Sequence, residues 1–195
     1  MNFSSRRYRD EVPKTRSPRF KRPIRVHPVV DLSQRKPVKR ALALAAVETL
    51  GLSVLFLIYW LLDIRDSVLA PLMFPPVVSF LLVLATSSSP ISRPLRIIAA
   101  YTVAGSIGLI FAELPGPIFV EAVIAGGLTM FCMHLLGAFH APATAIPLIM
   151  VLAFTAGTSA LVALPLLVLL ACLIVFLAWG AHRILGDANY PQAWW

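Results

Sequence analysis

The chain has 195 residues, of which 58% are hydrophobic and only 13% are charged. A soluble domain usually has about 25% charged residues, so this composition excludes an ordinary soluble globular protein and indicates one embedded in a membrane. The formal net charge is +8, but the positive charge is confined to one terminus, so nucleic-acid binding by the rest of the chain is not expected.

Residues 1–40 form a basic tail. They hold 13 of the 17 Lys and Arg against 3 of the 9 Asp and Glu, a local net charge of +10, which leaves −2 for the rest. With many prolines and no helical apolar period, the tail is expected to be disordered and to rest on anionic lipid head groups at the cytoplasmic face. It lacks the pattern of a secretory signal peptide. An Arg-rich transit peptide is the alternative, against which Asp10, Glu11 and the prolines count.

Residues 41–195 form the predicted membrane domain. Six apolar segments fill it, so the fold class is all-α, a polytopic membrane helix bundle. The first segment is long enough to cross a bilayer, which takes about 20 helical residues. The second carries Pro71, Pro75 and Pro76 in its first half, and too few residues follow for a full crossing. The segments are residues 41–62, 68–86, 97–112, 118–138, 137–155 and 161–184.

The spacing of the prolines predicts an internal repeat. Segments one to three are long, short with prolines near the start, and long, and segments four to six follow the same order. Residues 74–78 then correspond to residues 139–143. Because each half has three segments, the halves would have opposite topology, and paired proline-interrupted segments point to a transporter's midplane site. The identity between the halves is low, so the sequence leaves the duplication open.

The basic residues predict the orientation. Thirteen of them precede the first segment, so the N-terminus is expected to be cytoplasmic. If all six segments cross, Arg93, Arg96 and Arg183 are cytoplasmic and Glu113 is external, as the positive-inside rule requires. If the second and fifth segments only re-enter, Arg93 and Arg96 are external.

The strongest candidate for a functional site is the stretch of residues 137–150, GAFHAPATAIPLIM. Pro142 and Pro147 interrupt backbone hydrogen bonding, which lipid tolerates only where protein or a water-lined cavity covers the backbone. His140 is expected just before a helix that begins at Pro142, in a buried polar cavity with Ser79. A kinked, packed helix in which His140 makes a purely structural hydrogen bond is the alternative.

No catalytic constellation or phosphate loop accompanies this stretch, so an enzyme is not expected. His134 and His140 are six residues apart and do not share a helix face, so neither a metal nor a cofactor is predicted. Cys132 and Cys172 lie within apolar runs, where each is most simply a small hydrophobe, and they imply no disulfide framework.

At these residues the chain resembles the HPP family of integral membrane proteins. His140, Ala141, Pro142 and Ala143, with Ala145 beyond, are similar to the family's His-Pro-Pro-Ala-Gly-Ala-Thr run.

Three other places support the resemblance, which covers roughly residues 36–195. Residues 89–94, followed by Gly108, resemble the family's Ser-Pro-Leu-Ala-Gln-Pro segment and its downstream glycine. Ser79 falls on the last serine of the family's Ser-Phe-Gly-Ala-Ser helix start, and residues 190–195 are similar to the family's usual ending.

The chain also departs from the family pattern. Ala141 replaces the first proline of the motif, Thr144 its glycine and Ile146 its threonine. Val77 replaces the glycine of the second-segment motif, and residues 99–101 read Ala-Ala-Tyr in place of Gly-Gly-His.

The resemblance implies a transporter or channel for a small solute, because some members are linked with transport of nitrite, an inorganic anion, across bacterial and plastid membranes. It implies a multi-pass protein of the bacterial inner membrane whose partners are the bilayer, anionic lipid and the solute, with a homo-oligomer left open. The residues expected to contact the solute are His140, Pro142, Ala143, Thr144, Ser79 and Ser89. The alternative is a non-transporting membrane scaffold or subunit that recruits a partner through its basic tail.

Overall fold

The computed structural model describes residues 38–64, 67, 69–154, 160–187 and 189–195. The prediction for the basic tail therefore lies almost wholly outside the described residues. Those residues form an all-α bundle, as predicted. The six helices are α1 (Val38–Leu61), α2 (Phe74–Ala85), α3 (Pro94–Ala112), α4 (Ile118–Leu135), α5 (Ala145–Ala153) and α6 (Ala163–Ile184).

Four of the helices, α1, α3, α4 and α6, are long and apolar enough to cross a membrane. The other two are short, and each is extended at its start by a 3₁₀ turn, Ala70–Met73 before α2 and Ala141–Thr144 before α5. The prolines occupy the first turns of these elements, where a missing N–H removes no helical hydrogen bond. Pro147 likewise lies in the first turn of α5 and does not break a continuous helix, because the interruption falls before Ala145.

The order of elements repeats. Long helix, 3₁₀ turn, short helix, 3₁₀ turn and long helix follow one another twice, first from α1 to α3 and then from α4 to α6. The packing repeats too. In the second half, α6 packs against α2 and α1. In the first half, α3 makes the equivalent contacts with α5 and α4. The third helices of the two halves, α3 and α6, pack against each other. The two predicted halves are therefore visible in both topology and contacts.

Contacts at the helix ends show that the halves are inverted. The end of α2 meets the end of α6 where Ser87 Oγ donates to Asp187 Oδ2 at 3.3 Å. The start of α3 joins the same end of the bundle, since Leu95 N donates to the Trp194 main-chain oxygen at 2.9 Å. Val47, in the first half of α1, lines a pocket together with Ala181 and Ile184 from the last turn of α6. The short loop from α3 to α4 then places the start of α4 at the opposite end.

Charge separates along the same axis. All the described Lys and Arg residues lie at the first of these ends, which we call the basic end, and they are Lys39, Arg40, Arg93, Arg96 and Arg183. The opposite end, which we call the acidic end, carries Asp63, Glu113 and Glu121. Arg93 and Arg96 thus share an end with the start of α1, which is the arrangement expected if all six segments cross.

The core is centred on α3 and α6, and close packing there depends on small residues. A Cβ on Gly105 would lie 2.8 Å from Leu164 Cδ1 of α6, and one on Gly108 would lie 3.0 Å from the Pro147 Cα of α5. The two glycines thus admit close neighbours, each on a different helix. α1 is peripheral and buries only Val47, Gly51 and Leu55.

Candidate functional site

His140 lies at the start of the turn that leads into α5 and is fully buried. Its backbone is extended, with φ −140° and ψ 102°, and its carbonyl accepts the first hydrogen bond of the turn, from Ala143 N at 3.0 Å. Pro142 follows in the first turn of the 3₁₀ element, as predicted. The local sequence thus directs the imidazole away from its own helix and into the space between α2 and α3.

The imidazole belongs to a set of four polar groups that are joined by hydrogen bonds. His140 Nε2 lies 2.8 Å from Ser79 Oγ of α2, and Ser79 Oγ lies 2.7 Å from the Tyr101 hydroxyl of α3. On the other side of the ring, His140 Nδ1 lies 3.1 Å from the main-chain oxygen of Ile91. Ser79 and Tyr101 are also fully buried. The result is a continuous hydrogen-bonded chain from α3 through α2 and the imidazole to the loop before α3, which we call the relay.

The Ile91 carbonyl, at one end of the relay, fixes the direction of every hydrogen bond in it. A carbonyl oxygen can only accept, so Nδ1 of a neutral His140 carries the proton and donates to Ile91. Nε2 is then the acceptor, the Ser79 hydroxyl donates to it, and the Tyr101 hydroxyl donates to Ser79 Oγ. With His140 neutral, every buried polar group of the relay has a partner, as a stable interior requires.

The carbonyl that fixes this tautomer is itself held by a polar cluster at the basic end. Ile91 belongs to the 3₁₀ turn Pro90–Ser92, whose Ser92 Oγ donates to the Thr86 main-chain oxygen at 2.8 Å. The Tyr190 hydroxyl donates to the Ser92 main-chain oxygen at 3.1 Å. Burial raises the pKa of Tyr190 above its ordinary value, so the phenol keeps the proton that it donates.

The predicted site residues separate into two groups. His140 and Ser79 meet directly, and Ala143 is fully buried in the 3₁₀ turn that follows the histidine. Thr144 instead donates to the Ala141 main-chain oxygen at 2.7 Å, within its own turn. Ser89 accepts from Ile91 N at 3.4 Å and so caps the turn that presents the Ile91 carbonyl. Where a polar cavity was predicted, His140 and Ser79 are joined by a direct hydrogen bond.

Tyr101 is the residue that the site prediction missed. It ends the Ala-Ala-Tyr stretch of residues 99–101, which differs from the pattern of the family that the chain resembles. Its hydroxyl is hydrogen bonded at the centre of the site. That mismatch was a usable signal, because a polar aromatic residue within an apolar segment needs a partner for its hydroxyl.

The site offers hydrogen bonds and no fixed charge. The groups of the relay are an imidazole, two hydroxyls and a carbonyl. Across the described ranges, no group of three or more His, Cys, Asp and Glu side chains is placed to hold a metal ion. His134 lies on the outer surface, where its Nδ1 is bonded within its own helix to the Met130 oxygen at 2.9 Å. The imidazole and the two hydroxyls are groups with which a small polar solute could form hydrogen bonds, and in this structure they are bonded to one another and to the Ile91 carbonyl.

Comparison with known proteins adds one finding. The family described as HPP, transmembrane region, matches residues 33–191, which is most of the chain. No curated protein and no solved structure matches.

Proposed function

The chain belongs to the HPP family of integral membrane proteins, and from that premise we propose that it transports a small inorganic monoanion, such as nitrite, across its membrane. We propose the relay of His140, Ser79 and Tyr101 as the solute site. The protein moves the solute and does not transform it.

The observation that carries the proposal is the position of the relay between the inverted halves. Ser79, Tyr101 and Ile91 belong to the first half, and His140 alone comes from the second. In transporters built from inverted repeats, substrate sites lie at the interface of the repeats, beside the starts of interrupted helices. Relative movement of the halves would break the two hydrogen bonds of His140 and expose these groups to one side of the membrane.

Hydrogen bonding in the relay favours a monoanion taken up with a proton. Protonation of His140 would make Nε2 a donor to Ser79, and the Ser79 hydroxyl would then donate to Tyr101. The Tyr101 hydroxyl would need a new acceptor, because Ser79 is its only hydrogen-bond partner among the described residues. An anion beside Tyr101 would supply that acceptor and a counter-charge for the imidazolium. A single histidine neutralises one charge, which favours a monoanion over a dianion.

The proposed orientation places the basic end in the cytoplasm. The described Lys and Arg residues all lie at that end, and the sequence that precedes α1 is basic. By the positive-inside rule, the acidic loop at Glu113 then faces outward. The proposed location is the bacterial inner membrane, with the tail on anionic head groups of the inner leaflet.

Uptake into proteoliposomes tests the function. Purified full-length protein is reconstituted, and influx of nitrite, nitrate, formate and chloride is measured against protein-free vesicles over a range of external pH. We expect influx of at least one monoanion, rising as the pH falls, because protonation of His140 favours anion binding. His140→Gln keeps a hydrogen-bonding side chain but does not titrate, so we expect slower influx with little pH dependence.

His134→Gln is the matched control, since His134 is exposed and bonded within its own helix. It should keep the wild-type rate and pH dependence. If His140→Gln also keeps both, His140 is a structural polar group and the proton-coupled mechanism is wrong. Absence of influx for every anion in the panel would contradict transport and favour the scaffold alternative.

A further inference from the structure

An apolar groove runs along the outer face of α6 at the basic end. Its volume is about 390 Å³, and its lining is almost entirely carbon. One wall consists of α6 side chains from Cys172 to Trp179, and the other consists of the chain after α6, from Tyr190 to Trp194, with Pro94 at the start of α3. From Cys172 to Trp179 the helix rises about 10 Å. The groove is therefore elongated along the helix axis, which is also the direction of lipid chains.

The second wall of the groove is fixed in place by hydrogen bonds. Leu95 N donates to the Trp194 main-chain oxygen at 2.9 Å, and Tyr190 donates to the Ser92 main-chain oxygen at 3.1 Å. The Tyr190 ring packs against the His182 ring at a tilt of 31°, with ring centroids 4.4 Å apart. Because these contacts tie the segment to α3 and α6, the groove is a built feature of the fold.

Two arginines flank the groove where it reaches the basic end. The Arg183 guanidinium lies 5.5 Å from the centre of the Trp179 ring, which lines the groove. Arg93 directly precedes Pro94, and its Nη1 donates to the Trp195 main-chain oxygen at 2.7 Å. Arginine binds phosphate oxygens through its planar set of donors. An apolar slot with guanidinium groups at one end matches the chemistry of an anionic amphiphile.

We propose that the groove binds one acyl chain of an anionic glycerophospholipid, with its phosphate beside Arg93 and Arg183. Lipid hydrocarbon surrounds the outer face of a membrane bundle, and the carbon lining favours an alkyl chain over water. Trp179 and Trp194 line the groove near the basic end of α6, and aromatic residues near the ends of membrane helices are typical of the interface, at the depth of the glycerol backbone. A transmembrane helix of a second copy fits less well, because 10 Å of a helix about 10 Å wide fills roughly 800 Å³.

Tryptophan quenching tests the proposal in the full-length protein. Trp60→Phe with Trp195→Phe leaves Trp179 and Trp194, both in the groove, as the remaining tryptophans. This protein is reconstituted in phosphatidylcholine vesicles that contain a minor fraction of brominated phosphatidylglycerol or, separately, brominated phosphatidylcholine. We expect stronger quenching by the brominated phosphatidylglycerol. We expect Arg183→Gln to reduce the preference for phosphatidylglycerol about fivefold. Adding Arg93→Gln to that variant should reduce the preference further.

Two matched controls distinguish the groove from general surface charge and bulk lipid. Lys39→Gln removes a charge from the basic end outside the groove and should leave the preference unchanged. Cys172→Phe fills the groove and should abolish the preference, whereas Leu169→Phe enlarges an exposed side chain on the same helix, outside the groove, and should not. Equal quenching by the two brominated lipids, or a preference that survives Arg183→Gln and Cys172→Phe in folded protein, would overturn the proposal.

Discussion

At the scale of single residues, the centre of the molecule is defined by hydrogen bonds between side chains that are far apart in sequence. Ser79 occupies the middle of the relay, because its hydroxyl oxygen accepts a hydrogen bond from Tyr101 while the same hydroxyl donates one to His140 Nε2. Ser79→Ala leaves two buried groups unpaired, whereas Tyr101→Phe removes only one donor and leaves the bond from Ser79 to His140 intact. A buried group that loses its partner costs more than the net value of one hydrogen bond.

A double-mutant cycle measures this difference. We expect Tyr101→Phe to lower the free energy of unfolding in detergent by about 1 kcal/mol and Ser79→Ala to lower it by about 2 to 3 kcal/mol. In the Ser79→Ala background, Tyr101→Phe should cost little or be favourable, because the phenol has already lost its partner there. Additive effects of the two substitutions would show that the bond between Ser79 and Tyr101 contributes nothing to stability.

At the scale of elements, two short helices with prolines at their starts pack among four long helices. Each 3₁₀ start packs against the short helix of the other half, the turn before α5 on α2 and the turn before α2 on α5. α3 comes close to α5 because Gly108 has no side chain. Its missing Cβ would lie 3.0 Å from the Pro147 Cα and 2.6 Å from Met150 Sδ. Met150 can move, but the backbone at Pro147 cannot move without shifting α5 and the turn that carries His140.

Gly108→Ala is therefore expected to destabilise the bundle by about 1 to 3 kcal/mol, the usual cost of overpacking a close interface. Thermal unfolding in a fixed detergent measures it. Gly127→Ala on α4 is the matched control, because an added Cβ there meets nothing within 4 Å. The control is expected to be neutral or slightly stabilising, since alanine favours a helix over glycine by up to about 1 kcal/mol. Equal effects of the two substitutions would show that α3 and α5 do not meet at Gly108.

At the scale of the whole molecule, the inverted halves and the separation of charge define one axis with a basic end and an acidic end. The alternating helix directions place Ser88 at the basic end and Leu114 at the acidic end, and both side chains are exposed. These positions report on whether α2 and α5 cross. In a re-entrant arrangement with the start of α1 in the cytoplasm, Ser88 and Arg93 would be external and Leu114 would be cytoplasmic, because α3 crosses in either case.

Labelling of single cysteines tests this topology. Ser88→Cys and Leu114→Cys are each placed in a background with serine at the two native cysteines, Cys132 and Cys172. An impermeant thiol reagent applied to intact cells should label position 114 and should reach position 88 only after permeabilisation. Labelling of both positions in intact cells would contradict six crossings. Labelling of position 88 alone would contradict the proposed topology, because it is the result expected if α2 and α5 re-enter or if the orientation is reversed.

The sequence by itself determined the properties that depend on local composition. A long run of apolar residues favours the membrane whatever surrounds it, so the six segments and the membrane class follow from the chain alone, whereas the sequence left the duplication of the halves open. The prolines also act locally. Pro142 fixes the start of a helical turn, and that places His140 just before it.

Only the tertiary structure decided which polar side chains meet. His140 is 61 residues from Ser79 and 49 from Ile91, and their contact depends on how closely the helices around α3 pack. Thr144 and Ser89 could as well have pointed into the site, but a backbone group within reach of each hydroxyl holds it locally. Tyr101 joins the site because α3 turns that face toward α2. Such long-range choices are set by side-chain volume at helix crossings, which the local pattern of a sequence does not encode.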